Sequence, residues 1–276
     1  GDGDQDFSYG IDIDNTGAAY VTGQTNSDET NFPVLVGPDL TYNGGYFDAF
    51  VAKVKPDGSG LEYAGYVGGS ESDYGKGIAV DSSGAAYITG SSISDETSFP
   101  VTVGPDLTHG GNHGIDAFVA KVNPDGGSLD YAGYIGGDGL TWGRDIVVDG
   151  HGAAYVVGET GSTETSFPVN TGPDLTHNGG WDAFVAKVRP DGRDLIYAGY
   201  IGGALEDRGV RISVDSSGAV YVAGATLSDE TSFPVVNGPD LTYNGGDFDA
   251  FVAKVKPDGS GLVYAGYVGG ALADLA

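Results

Sequence analysis

The sequence predicts an all-β fold, a β-propeller of four four-stranded antiparallel blades. Four copies of one unit of about 67 residues fill the 276-residue chain. Each unit holds four short stretches rich in β-branched and aromatic residues, and none shows helical spacing over several turns. Sheets that are apolar on both faces must be covered on both sides, which radial packing of blades achieves.

The spacing of equivalent residues gives the length of the repeat. Tyr20, Tyr87, Tyr155 and Tyr221 stand 67, 68 and 66 residues apart, with no linker between units. We therefore predict a single domain, 1–276. Its repeats and short C-terminal tail are approximately 1–69, 70–137, 138–203, 204–270 and 271–276.

The second unit shows the four predicted strands as "GIAVD", "AAYITG", "DAFVAKV" and "LDYAGYIGG". "DSSG" separates the first pair and "NPDGGS" the last pair, and both are turn sequences. Each unit is thus two hairpins that form one sheet. This combination of motifs resembles the SBBP repeat, a β-propeller repeat of exported bacterial and archaeal proteins, and the strand pattern is similar to an NHL-type blade. The resemblance implies a propeller, the first stretch as innermost strand and an exported location, and it implies no reaction.

The amino-acid composition limits the classes of partner that the protein can bind. Asp and Glu number 39 against 12 Lys and Arg, which gives a formal charge of −27. Nucleic acids and anionic membrane surfaces would repel such a chain. Cys is absent, so neither a disulfide nor a thiolate metal site can form. The chain begins with Gly, and we expect that a leader was removed or that the chain is a segment. Acidity of this kind suits solubility, a saline habitat or calcium binding.

A long segment joins the second and third strands of each unit and carries the recurring "GPDLTYNGG" motif, at residues 37–45 in the first copy. Connections longer than about 12–15 residues are uncommon and often functional. One interpretation is a packed cap, in which Phe32 and its equivalents fill the top of the blade. The other is a face for binding or assembly.

Aspartates recur at fixed places in every unit. Those flanking the tip of the long loop stand among Gly and Asn carbonyls, and oxygen ligands of this kind suit calcium. Our candidate calcium ligands are Asp39, Asp48, Asp106, Asp116, Asp174, Asp182, Asp240 and Asp249. Asp14 and Asp57 fall in turns, where bonds to nearby backbone N–H groups are expected. Lys53 lies inside the third strand, and we expect it to pair with an Asp rather than to act in catalysis, because an unpaired buried ammonium is costly.

The predicted function rests on the fourfold repetition of one unit along the chain. No asymmetric catalytic constellation is evident, so we predict a non-enzymatic extracellular structural protein that assembles with copies of itself into a surface or filament. Both chain ends align with the connection between blades, and we expect them to reach neighbouring subunits. The alternative is an extracellular module that binds glycan or protein through the long loops. An enzyme is the third possibility, since a propeller fold does not assign chemistry.

Overall fold

The computed structural model describes residues 4–111 and 114–274. In that part of the chain all regular structure is β-strand, as predicted, and no helix is long and apolar enough to cross a bilayer. The strands are β1 (Asp6–Ile13), β2 (Ala19–Thr25), β3 (Asp48–Val54), β4 (Leu61–Val67), β5 (Asp73–Val80), β6 (Ala86–Ser92), β7 (Asp116–Val122), β8 (Leu129–Ile135), β9 (Thr141–Val148), β10 (Ala154–Thr160), β11 (Asp182–Val188), β12 (Leu195–Ile201), β13 (Asp207–Val214), β14 (Val220–Thr226), β15 (Asp249–Val255) and β16 (Leu262–Val268).

The strands form four antiparallel sheets of four, each in chain order, which confirms the predicted blades. We call them blade 1 (β1–β4), blade 2 (β5–β8), blade 3 (β9–β12) and blade 4 (β13–β16). The first strands β1, β5, β9 and β13 lie innermost, because each packs against the first strand of the next blade. Antiparallel order places both short turns of a blade at one end and the long connections at the other.

Each blade buries both faces by strand alternation. We call the face toward the next blade the trailing face and the opposite one the leading face. In blade 1 the trailing face carries Tyr20, Ala49, Val51, Tyr63 and Val67. It packs against the leading face of blade 2, which carries Ile78, Ile88, Phe118, Ala120 and Val122. Equivalent residues join blades 2 and 3 and blades 3 and 4, so one interface is built three times.

The long loop folds along the outer edge of its own blade, as the cap interpretation predicted. In blade 2, Val103 and Asp106 accept hydrogen bonds from the backbone N–H groups of Ala132 and Tyr134, each 2.8 Å long. Phe99 is buried, with its ring centroid 5.3 Å from those of Phe118 and Tyr134. The loop therefore satisfies the free edge of the fourth strand, which otherwise invites pairing with another chain.

Blades 1 and 4 each keep one face uncovered, because the extensive packing among the described strands joins only consecutive blades. On the leading face of blade 1, Ile11 is 70% exposed, whereas the equivalent Ile78 is 6% exposed. On the trailing face of blade 4, Val268 is 55% exposed, whereas the equivalent Ile201 is fully buried. The propeller thus presents two apolar faces that correspond to the two halves of its internal interfaces.

Candidate functional sites at the blade junctions

At each internal junction between two blades, a glycine packs directly against a tyrosine ring. Gly126, in the β7–β8 turn, lies so close to the ring of Tyr63 that an added Cβ would be 2.2 Å from it. The same contact recurs between Gly192 and Tyr131, and between Gly259 and Tyr197. These glycines have positive φ, near +77°, within a tight turn. The glycine comes from the leading side of one blade and the tyrosine from the trailing face of the blade before it.

The first and last blades carry the glycine and the tyrosine of a fourth such contact, but the two residues do not meet within one chain. Gly58 occupies the corresponding turn of blade 1, and a Cβ there would meet nothing within 4 Å. Tyr264 is the corresponding tyrosine of blade 4 and is only partly buried, unlike Tyr63 at 1% exposure. The uncovered faces are therefore complementary in the same manner as the internal junctions.

The predicted calcium ligands lie where the loop tip meets the third strand. In blade 1, the Asn43 backbone N–H donates to Asp48 Oδ2 at 2.8 Å, and the Asn43 side-chain amide donates to Asp39 Oδ2 at 2.8 Å. Asn178 and Asn244 make the same two bonds in blades 3 and 4. In these three blades one Asn thus joins the two candidate aspartates, whereas in blade 2 Gly110 donates only its backbone N–H to Asp116.

A second carboxylate close to Asp48 comes from the next blade. A Cβ added to Gly68 would lie 2.8 Å from Asp48 Oδ1 and 2.9 Å from Asp73 Oδ2, so the two side chains flank one glycine. Both are fully buried, and the Oδ1 atom of each has no hydrogen-bond partner. Burial and the charge of Asp73 raise the pKa of Asp48 to about 8, and burial raises the pKa of Asp73 to about 6.

The junction between blades 3 and 4 repeats this arrangement with Asp182 and Asp207, whose pKa values rise mainly through burial to about 8 and about 6. The junction between blades 2 and 3 differs, since Thr141 replaces the second aspartate. There Asp116 Oδ2 lies 4.0 Å from His109 Nε2. Sequence analysis paired each candidate aspartate within its own loop and missed the partner across the junction, although an aspartate opens "DYGKG" and "DRGVR" alike.

Groups of three or more His, Asp and Glu side chains able to hold a metal are absent from residues 4–111 and 114–274. The oxygens on offer at a junction are instead two carboxylates with unpartnered atoms. Two carboxylates supplemented by backbone carbonyls or water fit the oxygen preference of calcium, although they fall short of a full ligand set.

The turn aspartates and strand lysines have the structural roles that were predicted. Asp14 accepts the N–H groups of Thr16 and Ala18, while Tyr20 donates its hydroxyl to it at 3.0 Å. Lys53 Nζ lies 3.5 Å from Asp14 and 2.9 Å from Glu62. The pKa of Asp14 is held far below its usual value by these bonds, against the opposing effect of burial. Lys187 and Lys254 likewise pair with Asp149 and Asp215.

The chain ends take different courses. Asp274, in the tail, donates its N–H to Phe248 O and accepts the N–H of Gly270 at 2.7 Å. Asp207 makes the same two bonds, with Trp181 and Gly203, at the start of blade 4. The tail as far as residue 274 therefore closes its own blade in the manner of the next first strand. We expected the terminal segments 1–7 and 270–276 to reach neighbouring subunits, and residues 1–3 and 275–276 of these segments lie outside the described residues.

Repeats diverge most at the innermost strands, which sequence analysis passed over. At one aligned position the four units carry Tyr9, Lys76, Arg144 and Val210, and all four side chains line one cavity of about 350 Å³. The signal was present in the sequence as the place where the units differ. Its meaning is clear only from the structure, in which the first strands of the four blades converge on one cavity.

Comparison with known proteins supports the fold. A family model described as SBBP, beta-propeller repeat, matches residues 1–33 and 62–96. No curated protein matches the sequence. A solved structure of a luciferin-regenerating enzyme is similar over 95% of this chain and 62% of its own length, at 9% identity and a TM-score of 0.35, which supports no functional argument. The four four-stranded sheets form a β-propeller fold, and residues 1–33 and 62–96 match the SBBP repeat.

Proposed function

We propose that this protein is a non-enzymatic extracellular structural subunit that assembles head to tail with copies of itself. One observation carries the proposal: the leading face of blade 1 and the trailing face of blade 4 are uncovered and match the halves of the three internal interfaces. If Gly58 of a second copy packed against Tyr264 of the first, the pair would reproduce the contact between Gly126 and Tyr63. Such unlike faces join in series, and the series either closes into a ring or extends as a filament.

Burial favours this association and charge opposes it. Ile11, Ile13 and Val268 would pass from 70%, 65% and 55% exposed to the burial of their equivalents, and apolar burial contributes about 25 cal/mol per Å². The charge of −27 per chain repels the second copy unless salt or divalent cations screen it. Extracellular placement accords with the acidic composition and with the exported proteins that carry this repeat.

Changing Val268→Asp is expected to leave the subunit folded and to abolish assembly. The side chain is exposed in the single chain, yet an interface like the internal ones would bury its carboxylate without a partner. Light scattering and electron microscopy of native and variant protein across a salt series would measure this. Leu40→Asp, at a 43% exposed position on the loop, is the matched control and should assemble as the native chain does.

Two results would count against the proposal. One is a native chain that stays monomeric at high concentration in salt and calcium. The other is assembly that Val268→Asp does not weaken while Leu40→Asp does, since this would move the contact to the loop face. Deletion of residues 271–276 adds a further check. We expect the chain to stay folded and assembly to persist, because Asp274 bonds to Phe248 and Gly270 of its own blade.

Calcium is the cation that we propose for the junctions between blades 1 and 2 and between blades 3 and 4. A cation that binds only the folded state raises the free energy of unfolding by about 2.7 kcal/mol at 100 times Kd. A chelator should therefore lower the melting temperature. Asp73→Thr combined with Asp207→Thr copies the native Thr141 arrangement, so this variant should fold and lose the response. An unchanged melt after complete calcium removal, with no metal found by elemental analysis, would rule out a stabilising role.

The second candidate function is a module that binds glycan or protein, and four exposed leucines favour it. One leucine in each "GPDL" segment is about 43–46% exposed on the outer rim. These residues are Leu40, Leu107, Leu175 and Leu241. The neighbouring Tyr42 and His109 instead pack edge-on against tyrosines of the fourth strand, so they do not offer free rings to a sugar. Glycan-array binding by a chain that does not self-assemble would select this function.

A further inference from the structure

The first strands of all four blades line one cavity where they converge. Its volume is about 350 Å³, and among its lining residues are four cations in a chain that has only 12 Lys and Arg in total. These cations are Lys76, Arg144, Arg208 and Arg211. These cations are not a feature of every repeat, because blade 1 carries no cation at any of the aligned positions.

Two of the four cations are neutralised by glutamates. Arg144 Nε lies 3.1 Å and 3.2 Å from the two carboxylate oxygens of Glu159. Arg208 Nε donates to Glu206 Oε1 at 2.7 Å. Within residues 4–111 and 114–274, neither Lys76 nor Arg211 has a carboxylate within 4 Å, so neither of these two cations forms a close ion pair.

Lys76 is held in place before any ligand arrives. Its Nζ donates a hydrogen bond to Gln24 Oε1 at 3.1 Å and lies 3.7 Å from the ring centroid of Tyr9 in a cation–π contact. Burial and the charge of Arg144 lower the pKa of this lysine to about 8. A cation that is desolvated beside another cation is stabilised by an anion between them.

We propose that this cavity binds a small doubly charged oxyanion of the phosphate or sulfate class, free or as the terminal group of a small molecule. Lys76, Arg144 and Arg211 come from three different blades, and a tetrahedral oxyanion presents acceptors in several directions. Arg211 adds guanidinium donors that are committed only to the Val210 carbonyl at 3.0 Å. The site is independent of the proposed assembly, because each single chain contains all of its residues.

Isothermal titration calorimetry of the full chain with sodium phosphate and with sodium sulfate tests this proposal, against sodium chloride at equal ionic strength. We expect one anion per chain, and at least a tenfold weaker affinity in Lys76→Gln and in Arg211→Gln. Arg193→Gln is the matched control, because that side chain is 72% exposed in a turn outside the cavity. The melting temperature should rise with phosphate in the native chain and in the control alone.

Preference between the two salts identifies the group that the cavity recognises, and either preference supports the proposal. Equal heats with phosphate, sulfate and chloride would overturn it, as would binding that both cavity variants retain. Circular dichroism checks that each variant is folded. If Lys76→Gln unfolds, Arg211→Gln decides, because Arg211 is exposed and makes only one hydrogen bond to the backbone. Assembly measured in parallel should not change in the cavity variants, which separates failure here from failure of the proposed function.

Discussion

Replacement of Gly133 by alanine is expected to destabilise blade 2 by about 3 kcal/mol. An added Cβ would lie 2.6 Å from the Asp106 carbonyl oxygen and 2.7 Å from Gly104 Cα, and both are backbone atoms that cannot move alone. The long loop would have to leave the edge of β8. The hydrogen bond from Tyr134 N–H to Asp106 O would then be lost.

Thermal unfolding would measure the effect, and for a chain of this size about 3 kcal/mol corresponds to a fall of about 6–12 °C in Tm. Gly60→Ala is the matched control, because nothing lies within 4 Å of a Cβ there and its φ is not positive. It should leave Tm unchanged or raise it slightly. Hydrogen exchange at the Tyr134 amide should accelerate in Gly133→Ala alone. An unchanged Tm in that variant would show that the loop is not packed on the strand edge.

Stability is expected to fall as pH rises from 5 to 8 in metal-free buffer. The folded chain holds Asp48 and Asp182 with pKa values of about 8, whereas an aspartate in the unfolded chain has a value near 3.8. Between these values the folded state binds protons that the unfolded state releases, so the free energy of unfolding declines with pH up to about 8. Asp73, Asp207 and Asp116, with values of about 6, act in the same direction over the lower part of the window.

One pKa unit corresponds to about 1.4 kcal/mol, so two carboxyl groups that titrate over about three pH units lower the free energy of unfolding by up to about 8 kcal/mol, and we expect Tm to decrease by at least about 10 °C across this range. Asp48→Asn combined with Asp182→Asn should flatten the profile, whereas Asp57→Asn, in an exposed turn, should not. The aspartates with lowered pKa values, such as Asp14, titrate below this window and leave the sign unaffected. Calcium should also flatten the profile, because it favours the ionised carboxylates. A stability that rises between pH 5 and 8 without metal would contradict the assignment.

Local sequence predicted the blades accurately because turn chemistry and strand patterning are short-range. "DSSG" and "NPDGGS" locate the hairpins, and alternation along "DAFVAKV" separates Val51 from Phe50 onto opposite faces, as observed. The pairing of Lys53 with Asp14 was also predictable, because a buried ammonium needs a partner and the turn aspartate recurs with it. The cap role of the long loop was foreseen from Phe32, which is 8% exposed and packs on Phe50.

What the sequence by itself determined was therefore the repeated unit: four strands, two tight turns and a long segment that returns to its own sheet. Only the tertiary structure decided which residues of different units meet. Residues from different blades come together in three places: Asp48 and Asp73 flank Gly68, Gly126 packs on Tyr63, and Lys76, Arg144 and Arg211 line one cavity. Packing around a common axis creates these contacts, and no local spacing encodes them, because the residues concerned stand in separate repeats. The same packing leaves Ile11 and Val268 exposed, although their repeats read like those whose equivalents are buried.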